Sequence, residues 1–184
     1  MFEFLIALLI FSMGMLGVLS AQLAGKKAGY DASQRSVATA LARDILERMR
    51  ANPGQINSYQ VSDVGNESRR LSRPGTNCDA SICSATQLAA FDLWQWESLL
   101  VGESEEFSGG YAGGLLSPRA CISSDEGQVA VAISWLGAIM TGHAAENTQA
   151  AACGEEEIEP ESGGEVISVR QRHQLTISTY IGER

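Results

Sequence analysis

The sequence predicts an α+β fold: a long N-terminal helix, apolar in its membrane half and amphipathic in its second half, packed on a small antiparallel β-sheet with one additional helix. Three observations carry that expectation. An uncharged run over residues 4–25 continues without a strong breaker into a stripe of apolar residues spaced by four. A helix-opening signature stands at Ser84. Two segments in the last third of the chain alternate large apolar residues with small or polar ones, the period of a strand.

As a helix, residues 4–25 extend about 33 Å at about 1.5 Å per residue, enough for a hydrocarbon core of about 30 Å. Glu3 is the one charge in residues 1–25. A carboxylate deep in lipid costs roughly 2–3 kcal/mol or more unless it is paired. Position alone leaves two readings open. Glu3 sits at headgroup level in a plain signal anchor, or it is a buried acid awaiting a cation.

Beyond the apolar run, Val37, Leu41, Ile45 and Met49 recur every four residues, with Ala38, Ala42 and Leu46 beside them. This is an amphipathic stripe, and Val37, Leu41, Ile45 and Met49 are the expected packing positions. Asp44–Arg48 and Glu47–Arg50 support the exposed face by roughly a few tenths of a kcal/mol each. Asn52-Pro53-Gly54 ends the helix, so one helix is expected from about Phe2 to about Ala51. Gly14, Gly17, Gly25 and Gly29 soften it, each by about 1 kcal/mol relative to alanine. Gly17, Ala21, Gly25 and Gly29 also form a smooth stripe that admits a second helix, although glycine is common in membrane helices generally. The chain thus divides into the membrane half (residues 1–25), the amphipathic half (26–53) and a globular domain (54–184).

Within the domain, residues 55–79 are polar, with turns at Gly65-Asn66 and Arg73-Pro74-Gly75, and read as a connection with room for a short strand. Ser84-Ala85-Thr86-Gln87 has the form of a capping box. It opens a helix through Leu88, Phe91, Leu93, Trp94 and Leu99 to about Val101, with Trp94 and Trp96 as packing groups. The glycines of residues 109–114 lack the Gly-Lys-Ser/Thr ending of a phosphate loop and read as a flexible turn. A short strand is expected at 120–123. Val129, Val131, Ile133 and Trp135 then mark a half-buried strand, and Leu175, Ile177, Thr179 and Ile181 mark another. The loop between them, residues 137–164, is long for a compact domain. It holds Cys153 and the acids Glu155, Glu156, Glu157, Glu159 and Glu161, which lack the spacing and glycine of a calcium loop and read as solvated.

A net charge of −9 argues against a nucleic-acid partner, which would need a clustered basic face. Cys78, Cys83, Cys121 and Cys153 all follow the membrane half, and an even count in an exported domain reads as two disulfides. The closeness of Cys78 and Cys83 favours Cys78–Cys83 with Cys121–Cys153; the other two connectivities stay open. Lys26 and Lys27 after the apolar run would place that end in the cytoplasm by a positive-inside count. The cysteines require an oxidising compartment, and they decide the orientation. The apolar run exceeds the usual stretch of about 7–15 residues in a cleaved signal peptide and has no basic region before it, so it reads as retained. His143 and His173 are isolated, His173 reading as a surface group beside Arg172. No H-E-x-x-H, G-x-S-x-G or Walker-type loop occurs. No catalytic residue, metal or cofactor is expected, and the chain does not read as an enzyme.

The run Glu3-Phe4-Leu5-Ile6-Ala7-Leu8-Leu9-Ile10-Phe11-Ser12-Met13-Gly14-Met15-Leu16-Gly17 resembles the N-terminal helix of type IV pilins. Gln34-Arg35-Ser36, followed by Ala40-Leu41-Ala42-Arg43-Asp44-Ile45-Leu46-Glu47-Arg48-Met49-Arg50-Ala51-Asn52-Pro53, resembles minor pilins of the PilV type. The first 53 residues carry the resemblance, and the rest matches in outline only.

That resemblance implies a pilin-like fold and a structural subunit taking part in the initiation or priming complex of a type IV pilus. It implies a single-pass anchor in the bacterial inner membrane and a periplasmic domain. Implied partners are other minor pilins, the major pilin, inner-membrane lipid before assembly, and a prepilin peptidase where the native precursor carries a leader. In the family that leader is removed after a glycine and the new terminal amine is methylated. The near-terminal glutamate, matched here by Glu3, then pairs with a neighbouring subunit's amine. Gly14 and Gly17 join Glu3 as the expected assembly residues. In this sequence the leader and cleavage-site glycine are absent and Met1 falls just inside the usual mature start, as in a truncated chain or one whose start codon is set too far downstream. Two other readings remain: a type II secretion pseudopilin, and a membrane-tethered periplasmic binding module in which the first helix is a plain anchor.

Overall fold

Residues 2–66, 69–103, 106–107, 110–111, 113–138, 153 and 172–182 are described by the computed structural model. The architecture is α+β. One unbroken helix, α1 (Phe2–Ala51), runs through all four glycines expected to soften it. It stops at Asn52, where Pro53 opens a 3-10 segment (Pro53–Tyr59) that buries Ile56 and Tyr59. A short strand β1 (Val61–Val64) follows, and then α2 (Ala85–Val101). Ser84 caps α2 as a full capping box: its hydroxyl accepts the Gln87 N–H at 3.3 Å, and the Gln87 side chain accepts the Ser84 N–H at 2.9 Å. Gly102 ends α2 in the left-handed region, φ 81°, with the backbone of Gly114 packed where a side chain would stand.

The remaining strands are β2 (Glu106–Phe107), β3 (Gly110–Tyr111), β4 (Arg119–Asp125), β5 (Gln128–Leu136) and β6 (Arg172–Tyr180). The main sheet has the order β1-β4-β5-β6, antiparallel throughout. Asp125 pairs with Gln128 across a two-residue hairpin whose residues Glu126 and Gly127 both have positive φ. That geometry matches the right-handed twist of the flanking strands. At the β1–β4 edge the register is irregular; Asp63 sits at positive φ there, held by Arg119 Nη1 at 3.0 and 3.1 Å.

The core lies between the second half of α1, α2 and one sheet face. Val129, Val131, Ile133 and Trp135 of β5 join it, and all are buried. Ala38 and Ala42 are small enough to let neighbouring elements close on α1. Trp96 fills the α2 side completely and donates its indole N–H to the Leu41 carbonyl at 2.8 Å. The disulfides are Cys78–Cys83 and Cys121–Cys153, with Cα separations of 5.5 and 5.8 Å.

Several expectations need correction. Strand β5 is not half-buried: residues 131–135 are covered on both faces, because on the second face Cys153, bonded to Cys121, packs on Ala132 and the Arg172 guanidinium bonds Ser134. Within the 109–114 glycine run, Gly110 and Tyr111 form strand β3, paired with the preceding β2, so the run is not simply a turn. Strand β4 is longer than expected at both ends, and β6 begins earlier, at Arg172. His173 is half-buried rather than a surface group; its ring stacks on Trp135 at 5.8 Å. The acidic run and His143 lie outside the described residues.

Candidate functional site

Every side chain described from Phe2 to Tyr30 is exposed, and the membrane-length window of α1 is 0% buried within the chain. Up to Gly25, before Lys26 and Lys27, this bare rod is about 36 Å long at about 1.5 Å per residue. Phe2 is 82% exposed, and leucines, isoleucines, methionines and valines follow it around the whole circumference. A continuous apolar surface of that extent is a contact surface for lipid or protein. Ser12 and Ser20 do not interrupt it, because their hydroxyls donate within the helix to the carbonyls of Leu9 at 2.8 Å and Leu16 at 3.0 Å.

Glu3 stands in the first turn of α1, exposed, with no cation paired to it among the described residues. At about 100° per residue, Ala7, Ile10, Gly14, Gly17 and Ala21 all fall within roughly 40° of Glu3 around the axis. The carboxylate therefore heads a strip of mostly small residues. A Cβ added at Gly14 or Gly17 would meet nothing within 4 Å, and the same holds at Gly25 and Gly29. Among the described residues no contact requires those glycines. Any demand for their smoothness comes from outside that set.

The second half of α1 is fixed to the domain. Ile45 and Met49 are fully buried, while Val37 and Leu41 are half-buried and flank the core. The deepest seam runs one residue round from the expected stripe, through Gln34, Ala38, Ala42, Ile45, Leu46 and Met49. Alanines permit the closest approach, so the larger Val37 and Leu41 lie at the margins. Gln34 accepts the Leu116 N–H at 3.2 Å, and Asp31 accepts the Ala138 N–H at 2.8 Å. The Nε2 of His173 lies 3.9 Å from Asp31 Oδ2.

Two polar centres reinforce this junction, and neither is visible in local sequence. Arg48, read from sequence as half of a surface pair, bonds Asp44 at 2.9 Å and reaches across to Asp92 at 3.1 Å and Gln95 at 2.6 Å on α2. Asp92 also accepts the Tyr59 hydroxyl at 2.7 Å. Burial, and then that hydrogen bond, push the Tyr59 hydroxyl above its ordinary pKa, so it remains a donor. Glu97, 1% exposed, accepts the backbone N–H groups of Gly65 at 2.8 Å and Leu71 at 2.7 Å, with Arg70 Nε at 4.0 Å. It pins the connection that follows β1 onto α2. Among the described residues no group of His, Cys, Asp and Glu side chains is arranged to hold a metal ion.

The family model described as Tt1218-like, Type IV pilin Tt1218, matches residues 20–94. The match spans the end of the bare rod, the amphipathic half of α1 and the first part of α2, and it supports a type IV pilin. Glu3, Gly14 and Gly17 lie upstream of it. No curated protein and no solved structure matches the chain.

Proposed function

We propose that the protein is a minor pilin, a structural subunit of the complex that initiates or primes a type IV pilus. The observation that carries this reading is the division of α1: one half is locked into the domain, and the other is bare, apolar and headed by a carboxylate. The bare half first spans the inner membrane, with the disulfide-bonded domain in the periplasm. It then exchanges lipid for a bundle of like helices from other minor pilins and the major pilin. Moving Glu3 from a headgroup layer into such a bundle removes its hydration, and a cationic terminal amine on a neighbouring chain offsets that cost. Gly14 and Gly17, on the same side, allow close helix approach. Val37, Leu41, Ile45 and Met49 transmit the position of the helix to the domain.

An anchor exchange tests this. Replacing residues 2–25 with an unrelated apolar segment of equal length should leave the chain in the membrane fraction and remove it from sheared pili. Incorporation at the parent level would instead mean that the segment is a plain tether. The proteins that co-purify with the parent chain identify the machine: pilus components support this reading, and secretion-system pseudopilins overturn it.

A further inference from the structure

Lys26 and Lys27 are the first basic residues after the apolar run, and neither takes part in the helix bundling proposed above. They stand where α1 ceases to be apolar, both exposed, and neither joins an ion pair among the described residues. Tyr30 lies one turn further on, 42% exposed, at i+4 from Lys26 and i+3 from Lys27, so the three side chains are neighbours on the helix surface. The domain begins directly after them. Asp31, its side chain 13% exposed, accepts the Ala138 N–H at 2.8 Å.

The two lysines and the tyrosine therefore occupy the single turn between rod and domain. From Lys27 to Asp31 that turn rises about 6 Å, close to the roughly 5–8 Å of one polar headgroup layer. Long ammonium side chains that can bend toward phosphates, beside a phenol with an apolar body and a polar tip, suit that layer. Even with these two lysines counted the chain carries a net charge of −9, so an anionic lipid surface would otherwise repel the domain. We propose that Lys26, Lys27 and Tyr30 form a headgroup clamp that takes the phosphates of anionic phospholipids and sets the depth of α1 in the bilayer. The proposal rests on the membrane-anchored reading above.

The clamp has a consequence for Glu3. Lys26 and Glu3 are separated by about 35 Å along the helix, against a hydrocarbon core of about 30 Å. With Lys26 fixed in the outer headgroup layer, Glu3 reaches the opposite one, where its carboxylate keeps its hydration. The two readings of Glu3 that position leaves open then describe two stages. The acid waits in the inner headgroup layer and is buried only when the subunit enters a filament.

The test uses the full chain in lipid nanodiscs, whose two faces are both open to reagent. A Phe2→Cys substitution supplies a thiol beside Glu3 for a membrane-impermeant maleimide. In discs of phosphatidylcholine with about one-third phosphatidylglycerol, this thiol should label readily. Adding Lys26→Gln and Lys27→Gln should slow labelling by at least about five-fold, because the unclamped acidic domain recedes and draws position 2 into hydrocarbon. High salt, or discs of phosphatidylcholine alone, should shrink that difference. Equal labelling with and without the lysines in the anionic discs overturns the clamp alone, and so does equal labelling accompanied by lost pilus incorporation, which would assign the lysines to a sibling chain. A parent chain recovered free of lipid overturns the membrane reading and the clamp with it.

Discussion

Trp96→Ala should lower the stability of the domain by about 3–5 kcal/mol, the range for truncating a large buried aromatic. Trp96 is fully buried in the core that joins α1, α2 and the sheet, and its indole N–H holds the Leu41 carbonyl on α1. Truncation leaves a cavity against the alanine seam of α1, where Ala38 and Ala42 have no side chain to extend into it. Trp96→Phe keeps most of the packing and loses the hydrogen bond, a smaller cost of about 1 kcal/mol. Urea denaturation of the full chain in detergent, followed by circular dichroism, measures both. A loss below about 1 kcal/mol for the alanine variant would mean that α2 does not secure α1.

Glu97→Ala should cost a similar amount, about 3–5 kcal/mol, for a different reason. The carboxylate is buried and accepts two backbone N–H groups, from Gly65 and Leu71, with Arg70 nearby. Removing it strands those donors and leaves the guanidinium without one of its anions, and breaking a buried charged centre from one side is expensive. Glu97→Gln should fall between parent and alanine, because one carbonyl oxygen remains while the amide presents N–H to N–H. Amide hydrogen exchange distinguishes this from general loosening: Gly65 and Leu71 should exchange faster by a larger factor than the buried strand β5. Uniform acceleration across the domain would contradict the pinning role of Glu97.

The features legible in the sequence are those set by neighbours along the chain. Both helices follow from local signals: the four-residue stripe and Pro53 bound α1, and the Ser84–Gln87 capping box opens α2. The alternation in β5 and β6 marks those strands for the same reason. What escapes a reading of the sequence depends on residues far apart. Nothing local distinguishes Glu97, which anchors a distant connection, from a surface acid, or shows that Arg48 reaches α2. The pairing of Cys121 with Cys153 is the one favoured from the sequence, but that Cys153 then covers Ala132, and Arg172 covers Ser134, on the second face of β5 depends on the fold. His173 escapes because its burial comes from Trp135 on the neighbouring strand. The candidate assembly residues are a different case. Glu3, Gly14 and Gly17 stand out in the sequence because they break an apolar pattern, and among the described residues nothing answers them.

A carboxylate that pairs across subunits is best tested by counting subunits in the filament. Glu3→Ala should leave membrane insertion at the parent level and reduce incorporation into pili by at least about ten-fold, as expected when a buried cation on the neighbouring chain loses its partner. Glu3→Ala chains found in pili at the parent frequency, with normal insertion, would contradict the pairing.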